Sequence, residues 1–247
     1  MTTPTPNRRS FLKFAGAGAG AVMLGGVNMT ALAATTVAGK SKQQDIDILN
    51  YALLLEYLEA EFYAAFADGG GFRDRLMDDR VKKYADIISE HETAHVNALK
   101  DVISKDYGST PNPKPKISFD ALLKNPDGTD KVIDDRLFLQ LAATFEPIGV
   151  RAYLGQADKI QNAKVLTSAA SILAVEANHA SGIQELRRQL GYTKADQQTS
   201  IAPQPRGGED VTSVGQFSLD YSPTPTDFWK PLDMATVTRI VTPLLPK

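Results

Sequence analysis

The chain has 247 residues, a formal charge of −2 and no cysteine. That length allows one large domain or two small ones, and 43% hydrophobic with 23% charged residues fits a globular chain rather than a disordered one. The near-neutral charge gives no electrostatic reason to expect nucleic acid, and the missing cysteine excludes disulfides, thiolate metal sites, iron–sulfur clusters and a cysteine nucleophile.

The N-terminus reads as an address. Asn7-Arg8-Arg9-Ser10-Phe11-Leu12-Lys13 is basic, an Ala/Gly-rich apolar stretch follows from about Phe14 to Val27, and Ala31-Leu32-Ala33 supplies an A-x-A cleavage site. Arg8-Arg9 followed by Phe11-Leu12-Lys13 resembles the twin-arginine export signal, with Asn7 where that pattern usually has Ser or Thr. The resemblance implies that the chain uses the twin-arginine export machinery and ends up periplasmic or extracellular after cleavage near Ala33. A short uncleaved membrane anchor is the competing reading, disfavoured by the glycine content and the small residues at its end. Cleavage removes Arg8, Arg9 and Lys13 and no acidic residue, which takes the charge from −2 to −5.

After the signal (1–33) and a polar linker (34–44), four segments carry helical periodicity. The first runs from Asp45 to about Ala67, with Ile46, Leu49, Leu53, Ala60 and Tyr63 recurring at threes and fours, and Gly69-Gly70-Gly71 stops it. The second spans about Asp79 to Lys105, the third about Val132 to Leu154 and the fourth about Ala163 to Leu190, ending in Arg187, Arg188 and Gly191. Short links suit antiparallel neighbours within each pair. Between the pairs, Asp106 to Lys131 holds Pro111, Pro113, Pro115 and Pro126, too proline-rich for a helix and long enough to travel the length of a bundle. Two helical hairpins joined by one long crossover give an all-α, antiparallel four-helix bundle over 45–190. The C-terminal extension, 191–247, carries seven of the fourteen prolines, a short helix from about Asp233 to Val241, and Phe217, Tyr221, Phe228 and Trp229, apolar weight that predicts packing on the bundle.

Six residues sit where a core expects apolar side chains. Glu92-Thr93-Ala94-His95 on the second helix and Glu176-Ala177-Asn178-His179 on the fourth each place a Glu and a His one turn apart on one face. Glu56 interrupts the stripe of the first helix, and Glu146 that of the third. The first and third helices align at an offset of 90, pairing Leu49 with Leu139, Glu56 with Glu146 and Tyr63 with Tyr153. The second and fourth align at an offset of 84, pairing Ile88 with Ile172, Glu92 with Glu176 and His95 with His179. One hairpin is a faint copy of the other. The repeat selects Glu56 over its neighbours, because Glu59 falls opposite Gly149 and Glu61 opposite Arg151.

One Glu from each of two helices plus a Glu-x-x-His from each of the others resembles the dimetal carboxylate site of the ferritin-like superfamily, a template of two iron or two manganese ions. With the export signal, the Leu-Glu-Tyr-Leu-Glu-Ala-Glu-Phe-Tyr stretch at 55–63 and the proline-rich tail, the chain is similar to the branch that includes exported bacterial ferritin-like, fungal stress-response and plant desiccation-related proteins. By that resemblance Glu92 and Glu176 bridge the ions, and Glu56, Glu146, His95 and His179 cap them. Tyr63 and Tyr153, two turns beyond a ligand, are candidates to hydrogen-bond a carboxylate of the opposite hairpin; packing is the competing role for both. Charge supports the resemblance: four carboxylates crowded in a bundle repel one another and lose hydration, and two divalent ions cancel them.

His91-Glu92-Thr93-Ala94-His95 also matches the zinc metallopeptidase pattern H-E-x-x-H, with Glu92 as general base. That reading leaves His179 as the only third histidine and gives Glu56, Glu146 and the repeat no part. On the bundle reading His91 is accessory. Three functions follow: a redox enzyme, catalase-like or an oxidase, acting on peroxide or dioxygen; a non-catalytic metal-binding or stress-protection protein; and, least supported by the proline-rich crossover and tail, ferritin-style storage. A degenerate site in an inherited bundle is the reading without metal. A rubrerythrin-type peroxidase is disfavoured, since its rubredoxin module needs cysteines. Oligomeric state is not legible.

Overall fold

A computed structural model describes residues 41–193 and 229–246 of the chain. The signal segment, most of the linker and the tail aromatics Phe217, Tyr221 and Phe228 lie outside the described residues.

Each long helix begins where a short polar side chain takes up a free backbone amide. Ser41 accepts from Gln44 N at 3.1 Å and opens α1, Lys42–Phe66. Asp78 accepts from Arg80 N at 2.8 Å and opens α2, Asp79–Asp101, which runs on into a π-helical turn at Val102–Asp106. The crossover holds one short turn, α3, Asp120–Leu123. This is a local correction to a wholly non-helical link, and it falls between Pro115 and Pro126, where the chain is free of proline. Asp134 accepts from Leu137 N at 2.8 Å and opens α4, Asp135–Gln156, so the helix starts three residues later than Val132. Asn162 accepts from Lys164 N at 2.9 Å and opens α5, Ala163–Gln189. Gly191, at φ +70°, takes the left-handed position after it. Asp233 caps α6, Met234–Val241.

α1 packs on α2 and α4 on α5, the two hairpins meeting through α1 and α4. Their burial patterns explain the arrangement. α2 and α5 bury one stripe each, Val81, Ala85, Ile88, Glu92, His95 and Leu99 on the first and Val165, Ile172, Glu176, His179, Ile183 and Leu186 on the second. α1 and α4 are buried on several faces. Their outer sides are covered by the crossover and by the C-terminal segment.

The crossover runs along α1: Asn112 N donates to Asn50 Oδ1 at 2.8 Å, Lys114 pairs with Glu61 at 2.6 Å, and the Phe119 ring lies 5.9 Å from that of Phe62. The C-terminal segment crosses α4 where Leu232 N donates to Arg151 O at 3.0 Å and Arg151 Nε donates to Lys230 O at 2.9 Å. A Cβ at Gly155 would lie 1.8 Å from Leu232 O, so only glycine lets the two backbones approach this closely. Val237, Ile240 and Leu244 then bury fully against the bundle.

The core divides into two apolar clusters. One end is aromatic, built on Phe62, Phe66, Phe138 and Phe145. The other is largely aliphatic, built on Leu49, Leu53, Leu99, Ile103, Val165 and Ile172. On α1, α2 and α5 the acidic residues stand between the two clusters. α4 passes through Pro147 without ending, from Asp135 to Gln156.

Candidate metal centre

Glu56 on α1, Glu92 on α2, Glu146 on α4 and Glu176 on α5 all have 0% exposure, while His95 and His179 retain 8% and 7%. The fold brings the six side chains into two overlapping groups. In each, one oxygen or nitrogen per residue lies within 4.8 Å of the others: Glu56, Glu92, His95 and Glu176 form one, and Glu92, Glu146, Glu176 and His179 the other. Glu92 and Glu176 belong to both. Nδ1 of His95 lies 3.1 Å from Glu92, 3.2 Å from Glu56 and 3.2 Å from Glu176. Nδ1 of His179 lies 3.1 Å from Glu146 and 3.3 Å from Glu92.

Glu92 Oε1 and Glu176 Oε1 meet a histidine Nδ1 that other carboxylates share, at 3.3 and 3.2 Å, while Glu176 Oε2 is buried without a hydrogen bond. Leaving such groups uncompensated costs several kcal/mol or forces protonation. Burial, and then the neighbouring carboxylate Glu92, push the Glu176 carboxyl well above its ordinary range. Burial also raises Glu56, to about 8, against the lowering pull of His95. Glu92 behaves in the opposite way: burial favours its neutral form, but hydrogen bonds from His179 and His95 win and hold it near about 2. Burial opposes the charge on both histidines as well, yet the carboxylates raise His179 to about 9 and His95 to about 12. With protons as the only cations, the histidines serve as counter-ions and the leftover carboxyls stay neutral. A pair of divalent ions meets the same need, and the donor set of carboxylates and imidazoles suits iron or manganese.

Tyr63 donates its hydroxyl to Glu146, and Tyr153 donates its hydroxyl to Glu56. Each bond crosses from one hairpin to the other and ties a carboxylate on α4 or α1. Both phenols are fully buried, and burial followed by the adjacent carboxylate keeps them protonated as donors.

His91 is exposed, and its Nδ1 lies 2.9 Å from His179 Nε2 with the two rings stacked at 5.2 Å. It stands outside both groups, touching the outer nitrogen of one member. A zinc site of the H-E-x-x-H kind needs His91 and His95 on one ion, and neither group contains two histidines.

Sequence reasoning set aside a fifth carboxylate. Glu59, one turn from Glu56 on α1, is 4% exposed. Burial, and then the charges of Glu176, Glu92, Glu146 and Glu56, push it well above the usual carboxyl range. It occupies the place where the repeat breaks. A Cβ on Gly149 would lie 2.7 Å from Glu176 Oε2 and 3.2 Å from Glu59 Oε1, so the glycine leaves room for two acidic side chains. The signal was present in the sequence: a Glu on the core stripe facing the smallest residue.

A family model described as a ferritin-like domain matches residues 44–189, which holds every residue of both groups. A second model, the twin-arginine translocation pathway signal sequence, matches residues 5–25. No helix among the described residues is long and apolar enough to cross a membrane. No curated protein matches the chain closely enough to count as a relative. The match spans more than half of the chain and covers all four long helices, so the protein belongs to the ferritin-like domain family, exported by the twin-arginine route.

Proposed function

We propose that the cluster is a dimetal centre of iron or manganese and that the exported protein uses it for redox chemistry on peroxide or dioxygen. In this reading Glu92 and Glu176, common to both groups, would be shared by the ions, and Glu56 with His95 and Glu146 with His179 would each hold one of them. The observation that carries it is that Glu92 and Glu176 belong to both groups, with Glu176 Oε2 buried without a hydrogen bond and Oε1 of each meeting a histidine that other carboxylates share. Held there, two such ions would supply redox capacity toward peroxide or dioxygen.

The chain's own residues hold and orient. Tyr63 and Tyr153 fix Glu146 and Glu56 from the opposite hairpin. His91 meets the outer nitrogen of His179 and so orients that ring. The absence of cysteine leaves no rubredoxin-type electron-delivery module, which favours disproportionation or direct reaction over a rubrerythrin-type peroxidase. Folding before export favours manganese, because a weak-binding ion is best captured before the chain meets copper or zinc. Two seats for partners follow: the export machinery and the metal ions. A non-catalytic role in metal binding or stress protection is the second reading, and one observation favours it: none of the four carboxylates reaches solvent.

Metal content per chain of the native exported protein tests the centre. The expected result is two ions, lost in Glu92→Ala; stoichiometric iron would remove the manganese preference, and no metal would remove the centre. Peroxide disproportionation by wild type and not by Glu92→Ala supports the redox reading. A loaded protein with no turnover supports the second.

A further inference from the structure

A cavity of about 80 Å³ lies among the four long helices at the aliphatic end of the bundle. Its wall includes Ala52, Leu99 and Ile172, each four residues along the same helix face from Glu56, His95 and Glu176. Tyr153, which bonds Glu56, forms part of the wall too. The cavity therefore sits one helical turn below one half of the acidic cluster, and it opens between α2 and α5, beside the exposed Ala98 and Ser168.

The internal repeat shows that this space is a feature of one end only. Offsets of 90 and 84 carry the cavity wall onto the aromatic cluster at the other end. There Phe138, Phe145 and Phe62 stand where the cavity has Ile48, Leu55 and Ala152. Phe66 stands for Gln156 and Tyr84 for Ser168. Those rings pack closely, Phe62 at 4.7 Å from Phe145 and Phe66 at 4.9 Å from Phe138. Tyr84 packs on Gly182, where a Cβ would come within 2.7 Å of its hydroxyl; the matching pair at the cavity mouth is Ser168 and Ala98. One exchange runs the other way, Tyr51 for Leu141. Five large rings are thus absent from one copy of a shared plan, and the space they would fill adjoins the cluster.

We infer that this cavity binds a small apolar gas molecule of the size and chemistry of dioxygen, beside the Glu56–His95 half of the centre. An apolar cavity of about 150 Å³ takes benzene or xenon, so one of about half that volume suits a diatomic molecule or a xenon atom and excludes an aromatic ring. Water is a poor occupant, since it needs two to four polar partners and the wall is almost wholly carbon. The occupant follows from the cavity alone; its use in chemistry rests on the dimetal reading, and makes dioxygen rather than peroxide the molecule that this end of the bundle admits.

Crystals of the zinc-loaded protein pressurised with xenon, and methyl relaxation by dissolved paramagnetic dioxygen, test the inference without turnover. The expected result is xenon in the cavity, and stronger relaxation at the methyls of Ala52 and Ile172 than at their counterparts Ala142 and Ile88. Both signals should be lost in Ser168→Tyr/Ala98→Gly, which copies the Tyr84–Gly182 plug of the other end; Ala169→Leu is the fallback should that pair not fold. Equal relaxation at both ends, signals that persist in the plugged variant, or ordered water bonded to the Tyr51 hydroxyl or the Gln156 amide would overturn it. A chain that takes up no zinc fails the dimetal reading, while xenon and relaxation on the same sample still decide the cavity.

Discussion

Asp45 and Asp135 stand 90 residues apart and do the same thing in opposite hairpins. Asp45, on α1, accepts the backbone amides of Gln161 at 2.8 Å and Asn162 at 3.0 Å, just before α5. Asp135, on α4, accepts those of Met77 and Asp78, both at 3.0 Å, just before α2. The receiving pairs are themselves 84 apart, so the repeat seen at the acidic cluster governs the ends of the bundle as well. Each bond joins one hairpin to the start of the other's second helix and so fixes the register in which Glu92 and Glu176 arrive.

Asp45→Ala and Asp135→Ala should each destabilise the protein by about 2–4 kcal/mol, because each leaves two amide donors unpaired at a half-buried helix start. Asp45→Ala should cost more, since Asp45 also accepts the Tyr107 hydroxyl at 2.7 Å. Urea unfolding of the metal-free protein measures both. Equal losses would mean that the Tyr107 bond adds nothing, and no loss in either would mean that the staples carry little of the register.

Much of this fold is legible in the sequence because it is written twice. Glu56 and Glu146, or His95 and His179, are weak signals singly and gain force as copies on matching stripes. What is hard to read is where the copies differ. Glu59 is hard to single out because its counterpart is Gly149, yet a glycine opposite an acid is the arrangement that lets the acid in. The cavity depends on Ala152, Ile48 and Ser168 facing one space, and only packing brings residues from three helices together. The one-turn α3 escaped because four residues are too few for a periodicity.

Stability of the metal-free protein should fall as pH rises from about 5 to about 9, and two bound ions should flatten that slope. Burial raises Glu56 from 4.5 to about 8, and the carboxylates, overcoming burial, raise His179 from 6.5 to about 9. A group raised in the folded state contributes stability fully below its unfolded value and loses it as pH climbs through its folded value. Glu92, depressed to about 2, acts oppositely, and its contribution is lost only in acid. Melting temperatures at several pH values, with and without metal, check this. A metal-free protein whose melting does not change across the range would contradict it.

Tyr63→Phe and Tyr153→Phe each remove one phenol donor from a buried carboxylate, Glu146 and Glu56 respectively. Loss of such an outer hydrogen bond typically weakens metal binding by about 10–100-fold. Because the two bonds serve opposite halves of the cluster, each variant should weaken one ion and spare the other. Competition with a chelator then shows two unlike steps in each single variant and two weak steps in the double variant. If both tyrosines only pack, the substitutions will leave the titration as it is in wild type.

Glu59→Gln and Gly149→Ala should part company. Glu59 lies outside both groups, so Glu59→Gln should keep two ions per chain. It also removes a charge that presses on Glu176, Glu92, Glu146 and Glu56, and the metal-free protein should melt higher at alkaline pH as a result. Gly149→Ala forces a methyl to 2.7 Å from Glu176 Oε2, and Glu176 belongs to both groups. Overpacking of that kind costs about 1–3 kcal/mol, and here the strain falls on a residue shared by both ions. Metal content should therefore drop for both seats in Gly149→Ala while Glu59→Gln stays full. Removing Glu59 as well should return part of the loss, since it frees space on the far side of the new methyl; a double variant no better than Gly149→Ala would show that Glu176 alone sets the limit.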